Sequence, residues 1–180
     1  MPASGFVFIA ASLDGFIARA DGDIGWLTEH DQPGVEDYGF QAFMESVDAL
    51  VMGRATFDKV RSMGGDWSYG AKRVIVLSSR PLGDAPSTVE RMQGAPRTIA
   101  EQLADRGAKR LYVDGGKTIQ AFLREGLIER LTVTRIPILL GSGIPLFGAL
   151  PHDVRLRHEA TRAFRNGLVQ STYAVVGQAA

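Results

Sequence analysis

Two short stretches carry the residue types and spacing that phosphate chemistry needs. In the first, the β-type run Arg110-Leu111-Tyr112-Val113-Asp114 stops at Gly115-Gly116-Lys117-Thr118. Ile119, Phe122 and Leu123 then recur at i, i+3, i+4, so a helix begins at the glycines. Glycines there let backbone approach a ligand closely. The unpaired N–H groups of the first helical turn face that ligand with the positive end of the dipole. In the second stretch, Ala49-Leu50-Val51-Met52 runs into Gly53-Arg54-Ala55-Thr56 and then the helical Phe57-Asp58-Lys59-Val60. Two such junctions suit a ligand with phosphates in two places, as in a dinucleotide. Arg54, a permanently charged planar fork just inside a helix start, is a good phosphate ligand. Tight αβ turns without a ligand use glycines in the same way.

The familiar phosphate motifs are absent. A Walker A loop needs glycine where this chain has Leu111, and Phe6 to Ala11 runs into Ser12-Leu13-Asp14-Gly15 rather than G-x-G-x-x-G. With no cysteine, thiolate nucleophiles, disulfides and Cys-ligated zinc are excluded. His30, His152 and His158 are scattered without H-E-x-x-H spacing, so no metal site is expected. Gly141-Ser142-Gly143 lacks the spacing of a nucleophile elbow.

At 180 residues a single domain over residues 1–180 is expected. Lys+Arg and Asp+Glu balance at 20 each, so charge gives no argument for nucleic acid or an anionic membrane. No apolar run approaches the ~20 residues of a membrane helix, and Phe6 to Ala11 lacks the basic flank of a signal peptide. A cytoplasmic protein acting on a small molecule is the expectation.

These stretches need elements to position them. Strands are expected at 6–11, 48–52, 73–77 and 110–113, near Val89, and over 130–137. Helices are expected at 36–47, 56–60, 98–106 and 117–125. Residues 12–34, with Asp14-Gly15, Asp21-Gly22 and Pro33-Gly34, read as a long irregular segment. Alternating residues over 154–164 and 168–176, joined through Asn166-Gly167, signal a terminal hairpin. Strand–helix alternation followed by a hairpin predicts an α/β fold, a mostly parallel sheet with an antiparallel edge.

In this order the residues resemble the dihydrofolate reductase-like superfamily, most closely the reductase domain of the bifunctional riboflavin-biosynthesis deaminase-reductases and its stand-alone relatives. The resemblance is carried by Ala11-Ser12-Leu13-Asp14-Gly15-Phe16-Ile17-Ala18, Ser46 through Thr56, Val74 through Ser79 and Leu111 through Thr118. It continues through Gly126 to Leu131 and Pro137 to Gly141, spanning roughly residues 5–176. It implies a three-layer dihydrofolate reductase-like sandwich and an NADPH-dependent reductase.

By that resemblance Gly53, Arg54, Ala55 and Thr56 hold the adenosine side and the pyrophosphate. Ser78 and Ser79, with Arg80 beside them, lie near the 2′-phosphate. Gly115, Gly116, Lys117, Thr118 and Ile119 cradle pyrophosphate and ribose, so a side chain at Gly116 is expected to block the cofactor and spare the fold. Ala10 and Ile17 flank the nicotinamide, roofed by the 12–34 loop and floored by Ile138–Leu146.

The implied acceptor is a planar nitrogen heterocycle or its ribityl precursor, and the implied assembly is a homodimer. Alternatives are a folate reductase and a nucleotide-binding protein without turnover. Asp37 has family-like spacing before Gly53-Arg54 and is the candidate catalytic carboxylate, with water as the other proton source. The same residue, beside Glu36, also reads as an acidic helix start. Asp14 is a second carboxylate candidate that equally fits turn chemistry.

Overall fold

Alternation within the strands decides the layers. Ala49, Leu50, Val51 and Met52 are all shielded from solvent, as parallel strands covered on both faces require. Ala49 and Val51 pack with one apolar cluster, Leu50 and Met52 with another. The same split separates Ile75 from Val74 and Val76, and Leu111 and Val113 from Tyr112. The computed structural model describes residues 1–29 and 37–178.

Its strands are β1 (Ser4–Ser12), β2 (Phe16–Ala18), β3 (Ala49–Gly53), β4 (Arg73–Leu77), β5 (Val89–Met92), β6 (Arg110–Asp114), β7 (Ile128–Ile136), β8 (Ile144–Pro145), β9 (Val154–Ala163) and β10 (Val169–Gln178). Helices are α1 (Gly25–Thr28), α2 (Phe40–Glu45), α3 (Arg54–Ser62), α4 (Pro96–Asp105) and α5 (Gly116–Arg124).

The main sheet has eight strands in the order β5-β4-β3-β6-β1-β7-β10-β9. It is parallel from β5 to β7, and β10 runs antiparallel to both β7 and β9. Helices α4 and α5 cover one face through Ile99, Leu103, Ile119 and Phe122, whereas α2 and α3 cover the other through Phe40, Phe43 and Phe57. The expected mostly parallel sandwich with an antiparallel hairpin edge is the architecture found.

Three local features differ from expectation. Within the stretch read as irregular, β2 pairs antiparallel with β8 as a separate two-stranded ribbon, and α1 buries Trp26 against Ile136 and Leu168. Helix α2 is shorter than 36–47, because Tyr38 and Gly39 take left-handed backbone angles just before it (φ 55° and 84°). Glu36, like His30, Pro33 and Gly34, lies outside the described residues. Helix α3 starts at Arg54 rather than Thr56, because Gly53 is extended and passes directly into the first turn.

Neighbouring strands β3 and β6 bring the starts of α3 and α5 side by side, and the contact between them is reciprocal. A Cβ on Gly53 would lie 3.1 Å from the Thr118 hydroxyl, and a Cβ on Gly115 would run into the Thr56 hydroxyl. Gly115 also has φ 89°, which an L side chain resists. Gly115→Ala is therefore expected to cost ~1–2 kcal/mol from backbone strain alone, and more from the contact. Adding Thr56→Ala should recover only the contact part, so urea denaturation should show less-than-additive losses. Fully additive losses would mean that the two residues do not meet.

Candidate functional site

The sheet opens at one place. Strand β1 pairs with β6 only from Ser4 to Phe6, against Arg110 to Tyr112, but stays paired with β7 as far as Ser12. Beyond Phe6 and Tyr112 the backbones of β1 and β6 part, with the Tyr112 hydroxyl donating to the Phe8 carbonyl at 3.0 Å. The opening is at the carboxyl ends of parallel strands, where open α/β sheets bind ligands. Ala10 stands on the β1 side, and Asp114, Gly115 and Gly116 on the β6 side.

The β2–β8 ribbon closes over this end. Leu13 N–H donates to the Ile138 carbonyl at 2.9 Å, and Leu146 N–H to the Gly15 carbonyl at 2.9 Å. Gln120 Nε2 holds the carbonyls of Pro145 (3.1 Å) and Leu146 (3.3 Å). A Cβ on Gly116 would lie 2.8 Å from the Pro145 carbonyl and 3.1 Å from Ile17 Cδ1. This corrects the expectation for Gly116: the missing side chain makes room for the protein's own ribbon, so a substitution there disturbs packing. The same contact puts Ile17 at the start of α5, beside the opening.

Neither α3 nor α5 has a side-chain cap at its N-terminus. Their first-turn N–H groups, at Gly53-Arg54-Ala55-Thr56 and Gly116-Lys117-Thr118, are therefore side by side and uncapped, an arrangement that can receive an anion. Thr118 and Ile119 are buried and Lys117 is exposed.

Arg54 is partly committed: Nε contacts both Asp58 oxygens (2.8 and 2.9 Å) and Nη1 donates to the Pro81 carbonyl at 2.8 Å. That last bond joins Arg54 to the turn carrying Ser78, Ser79 and Arg80. The Ser78 hydroxyl is spent on its own turn, donating to the Arg80 carbonyl and accepting Arg80 N–H. Ser79 and Arg80 are exposed beside it. Arg91 on β5 reaches the Ser78 carbonyl at 3.2 Å. The guanidinium groups of Arg54 and Arg91 thus both bond to this turn.

The carboxylates separate by environment. Asp37 is exposed, with Oδ1 accepting Gly39 N–H and Oδ2 accepting Gln41 N–H, both at 2.9 Å. Those bonds, Gln41 first, hold it below the ordinary carboxylate range. The structure thus places Asp37 as a cap at the start of α2, the helix-start reading of this residue. Asp14 latches two loops, accepting the Ser12 hydroxyl (2.6 Å) and the N–H groups of Leu140 (3.2 Å) and Gly141 (2.7 Å). It too is held low, chiefly by Ser12.

Asp114 behaves oppositely. Burial pushes its carboxyl up to about 6, against one opposing bond from Gly115 N–H at 2.8 Å. It lies on the Tyr112 face of β6. The phenols of Tyr112 and Tyr69 are raised above their ordinary range, by burial first and by the Asp114 charge second. Phe8, Phe40 and Phe43 continue that face, Phe43 meeting Tyr112 edge-on with ring centroids 5.0 Å apart. The opening therefore has two uncapped helix starts, an aromatic wall and a carboxyl that takes up a proton near neutral pH.

Residues 3–170 match the family model of the RibD C-terminal domain. The chain belongs to that family. It is 33% identical to the uncharacterized protein YwjB of Bacillus subtilis over 88% of this chain and 90% of that protein. It is 34% identical to the riboflavin biosynthesis protein RibD of Corynebacterium ammoniagenes, over 75% of this chain but 43% of the longer protein. A crystal structure from Shewanella sp. PV-4, of a protein provisionally named for riboflavin biosynthesis, superposes with TM-score 0.89 at 42% identity, covering 97% of this chain and 99% of the other. The fold is the dihydrofolate reductase-like one.

Against this RibD-type frame, the residues expected from sequence fall into three groups. Ala10, Ile17 and the two glycine junctions converge on the opening, and Arg54, Ser79 and Arg80 share the corner beside it. Asp37 and Asp14 are structural carboxylates. Asp114 and Arg91 went unnoticed, although Asp114 directly precedes the conspicuous glycines, a position where a strand-end carboxyl has reason to be suspected. Arg91 lies in a strand only faintly indicated, and nothing local marks it.

Two stability measurements test this sorting. A raised Asp114 means the folded state holds an extra proton between the unfolded value of 3.8 and about 6, so stability falls as pH rises through that window. Asp114→Asn should therefore raise the melting temperature relative to wild type at pH 8, with the gain disappearing by pH 4. A lowered Asp37 contributes stability above its unfolded value that is lost as pH falls through the folded one. Asp37→Asn should melt below wild type at pH 7, with the difference shrinking as pH falls below 3.8.

Proposed function

We propose that this RibD-type chain is an NADPH-dependent reductase. Its acceptor would be a small nitrogen heterocycle carrying a ribosyl-type chain, reduced to the ribityl form. The observation that carries this reading is the unpaired interval between β1 and β6, bordered by two uncapped helix starts and the desolvated Asp114 carboxyl. Its relationship to a riboflavin biosynthesis protein over the reductase-sized part supports it. The residues fit the cofactor: the α3 and α5 N–H groups match a pyrophosphate, and Arg54, Arg91, Arg80 and Ser79 match a 2′-phosphate.

Bound there, the nicotinamide supplies the hydride; the protein's part is orientation, a dry pocket and a proton. Ala10 and Ile17 would flank the ring as apolar neighbours, and the β2–β8 ribbon would keep water from it. Asp114, with its carboxyl at about 6, retains a proton fraction near neutrality and donates it to the acceptor nitrogen, regaining it from solvent. Phe8, Phe40 and Tyr112 give a planar acceptor an aromatic wall. The folate-reductase alternative depends on Asp37, whose two oxygens are committed to backbone N–H groups. A protein that binds nucleotide without turnover would share the two helix starts but have no use for the costly Asp114.

Fluorescence titration should show NADPH binding more tightly than NADH. Arg91→Ala should weaken NADPH about tenfold or more while leaving NADH nearly unchanged, the loss of one charge-assisted contact of ~1.5–3 kcal/mol. In single-turnover oxidation of bound NADPH with ribosylamino-pyrimidine acceptors, Asp114→Asn should cut the rate ~10²-fold with cofactor affinity retained. Asp37→Asn should leave that rate alone. Equal affinities for the two cofactors, or an unchanged Asp114→Asn rate, would reject the corresponding part of the reading.

A further inference from the structure

Two tyrosines lie within range of the Asp114 charge, and only one of them is committed. Register sets Met52 of β3 opposite Asp114 of β6, and Leu50 opposite Tyr112. Tyr112 is buried, and its hydroxyl already donates to the Phe8 carbonyl. Tyr69, only partly buried, packs against the same cluster, which holds Leu50, Met52, Phe57 and Tyr112.

The segment between α3 and β4 fixes Tyr69 in that place. Gly70 N–H donates to the Trp67 carbonyl at 3.1 Å, and Lys72 N–H to the Tyr69 carbonyl at 3.0 Å. Trp67 meets both Phe57 and Tyr69 edge-on, with ring centroids 5.9 and 5.2 Å away. Lys72 Nζ donates to the Val47 carbonyl at 2.6 Å, which ties the segment to the approach of β3. A phenol packed this way loses little further freedom when it meets a ligand.

Two polar groups here remain unspent. The Tyr69 hydroxyl has no partner among the described residues, and Asp114 uses only Oδ1, for Gly115 N–H. The two are near enough to interact through charge, yet they make no hydrogen bond with each other. A phenol and a protonated carboxyl both offer donors to the space between them. Burial and the Gly115 bond set the Asp114 carboxyl without any cation taking part, so that space suits an uncharged group.

We propose that Tyr69 is an acceptor-orienting residue, its hydroxyl donating to a ring carbonyl of the heterocycle whose nitrogen Asp114 addresses. The ligand class is a planar ring with a carbonyl oxygen and a nitrogen acceptor on one edge, lying along Phe8, Phe40 and Tyr112. Small-molecule sites fix orientation in this way, with a few polar groups set in an apolar wall. The assignment rests on the reductase reading for the acceptor and adds the residue that selects its carbonyl.

Calorimetric titration of the full chain with a ribosylamino-pyrimidine that carries a ring carbonyl, without NADPH, tests this apart from turnover. Tyr69→Phe removes one atom that has no protein partner, so the fold is kept. It should bind the pyrimidine about tenfold more weakly than wild type, with NADPH affinity unchanged. Tyr173→Phe, the same change on β10, should bind as wild type does. In steady-state turnover the Tyr69→Phe loss should fall on KM, with kcat nearly retained. Wild-type affinity in Tyr69→Phe overturns the inference, and so does a loss carried by NADPH affinity instead. A wild type that binds no pyrimidine at about 1 mM, the weak end of ordinary KM values, overturns it too. Binding that depends on Tyr69 without any oxidation of NADPH would reject the reductase reading and leave this assignment standing.

Discussion

The reciprocal contact between two glycines and two threonines underlies the rest of the site. A Cβ on Gly53 would crowd the Thr118 hydroxyl, and one on Gly115 would run into that of Thr56. Each helix thus supplies the side chain that fills the space left by the other's glycine. The arrangement holds the starts of α3 and α5 together without capping either, so their N–H groups stay available. It works only because β3 and β6 are neighbours in the sheet.

The opening between β1 and β6 has an energetic cost that the protein tolerates. Backbone groups there leave the sheet ladder, and Asp114 is held where burial disfavours its charge. A carboxyl treated this way weakens the folded state at neutral pH, yet it becomes an acid of useful strength. Asp37 and Asp14 show the contrasting use of the same side chain. Backbone and hydroxyl donors surround them, so they remain ionised and hold α2 and the loops in place. Environment, more than residue type, sorts the three.

The two ends of the sheet follow different rules. Its parallel half is sealed between helices, with the opening between β1 and β6 at the strand ends. Its antiparallel end extends past the helices, polar on one face and apolar on the other. The two-stranded β2–β8 ribbon rests on Gly116 and Gln120 of α5. Gly116 therefore serves assembly of the site at least as directly as it serves any ligand.

Much of this was legible in the chain itself. Buried alternating strands, two glycine junctions and an Asn-Gly hairpin are local signals, because periodicity and positive φ are properties of a few consecutive residues. They determined the helix-covered parallel sheet, the two strand–glycine–helix junctions and the terminal hairpin. What local pattern leaves open is which distant groups share one space. Sequence spacing left Asp37 open between a catalytic carboxylate and an acidic helix start, and only the fold shows both its oxygens accepting N–H groups of Gly39 and Gln41. The β2–β8 ribbon escaped notice because two- and three-residue strands carry no period. Arg91 joins the Arg54 corner only through the Ser78 turn, and Asp114 acquires its raised carboxyl only when the fold buries it. Desolvation and long-range contact depend on the packed whole, so tertiary structure alone decided which carboxyl can hold a proton.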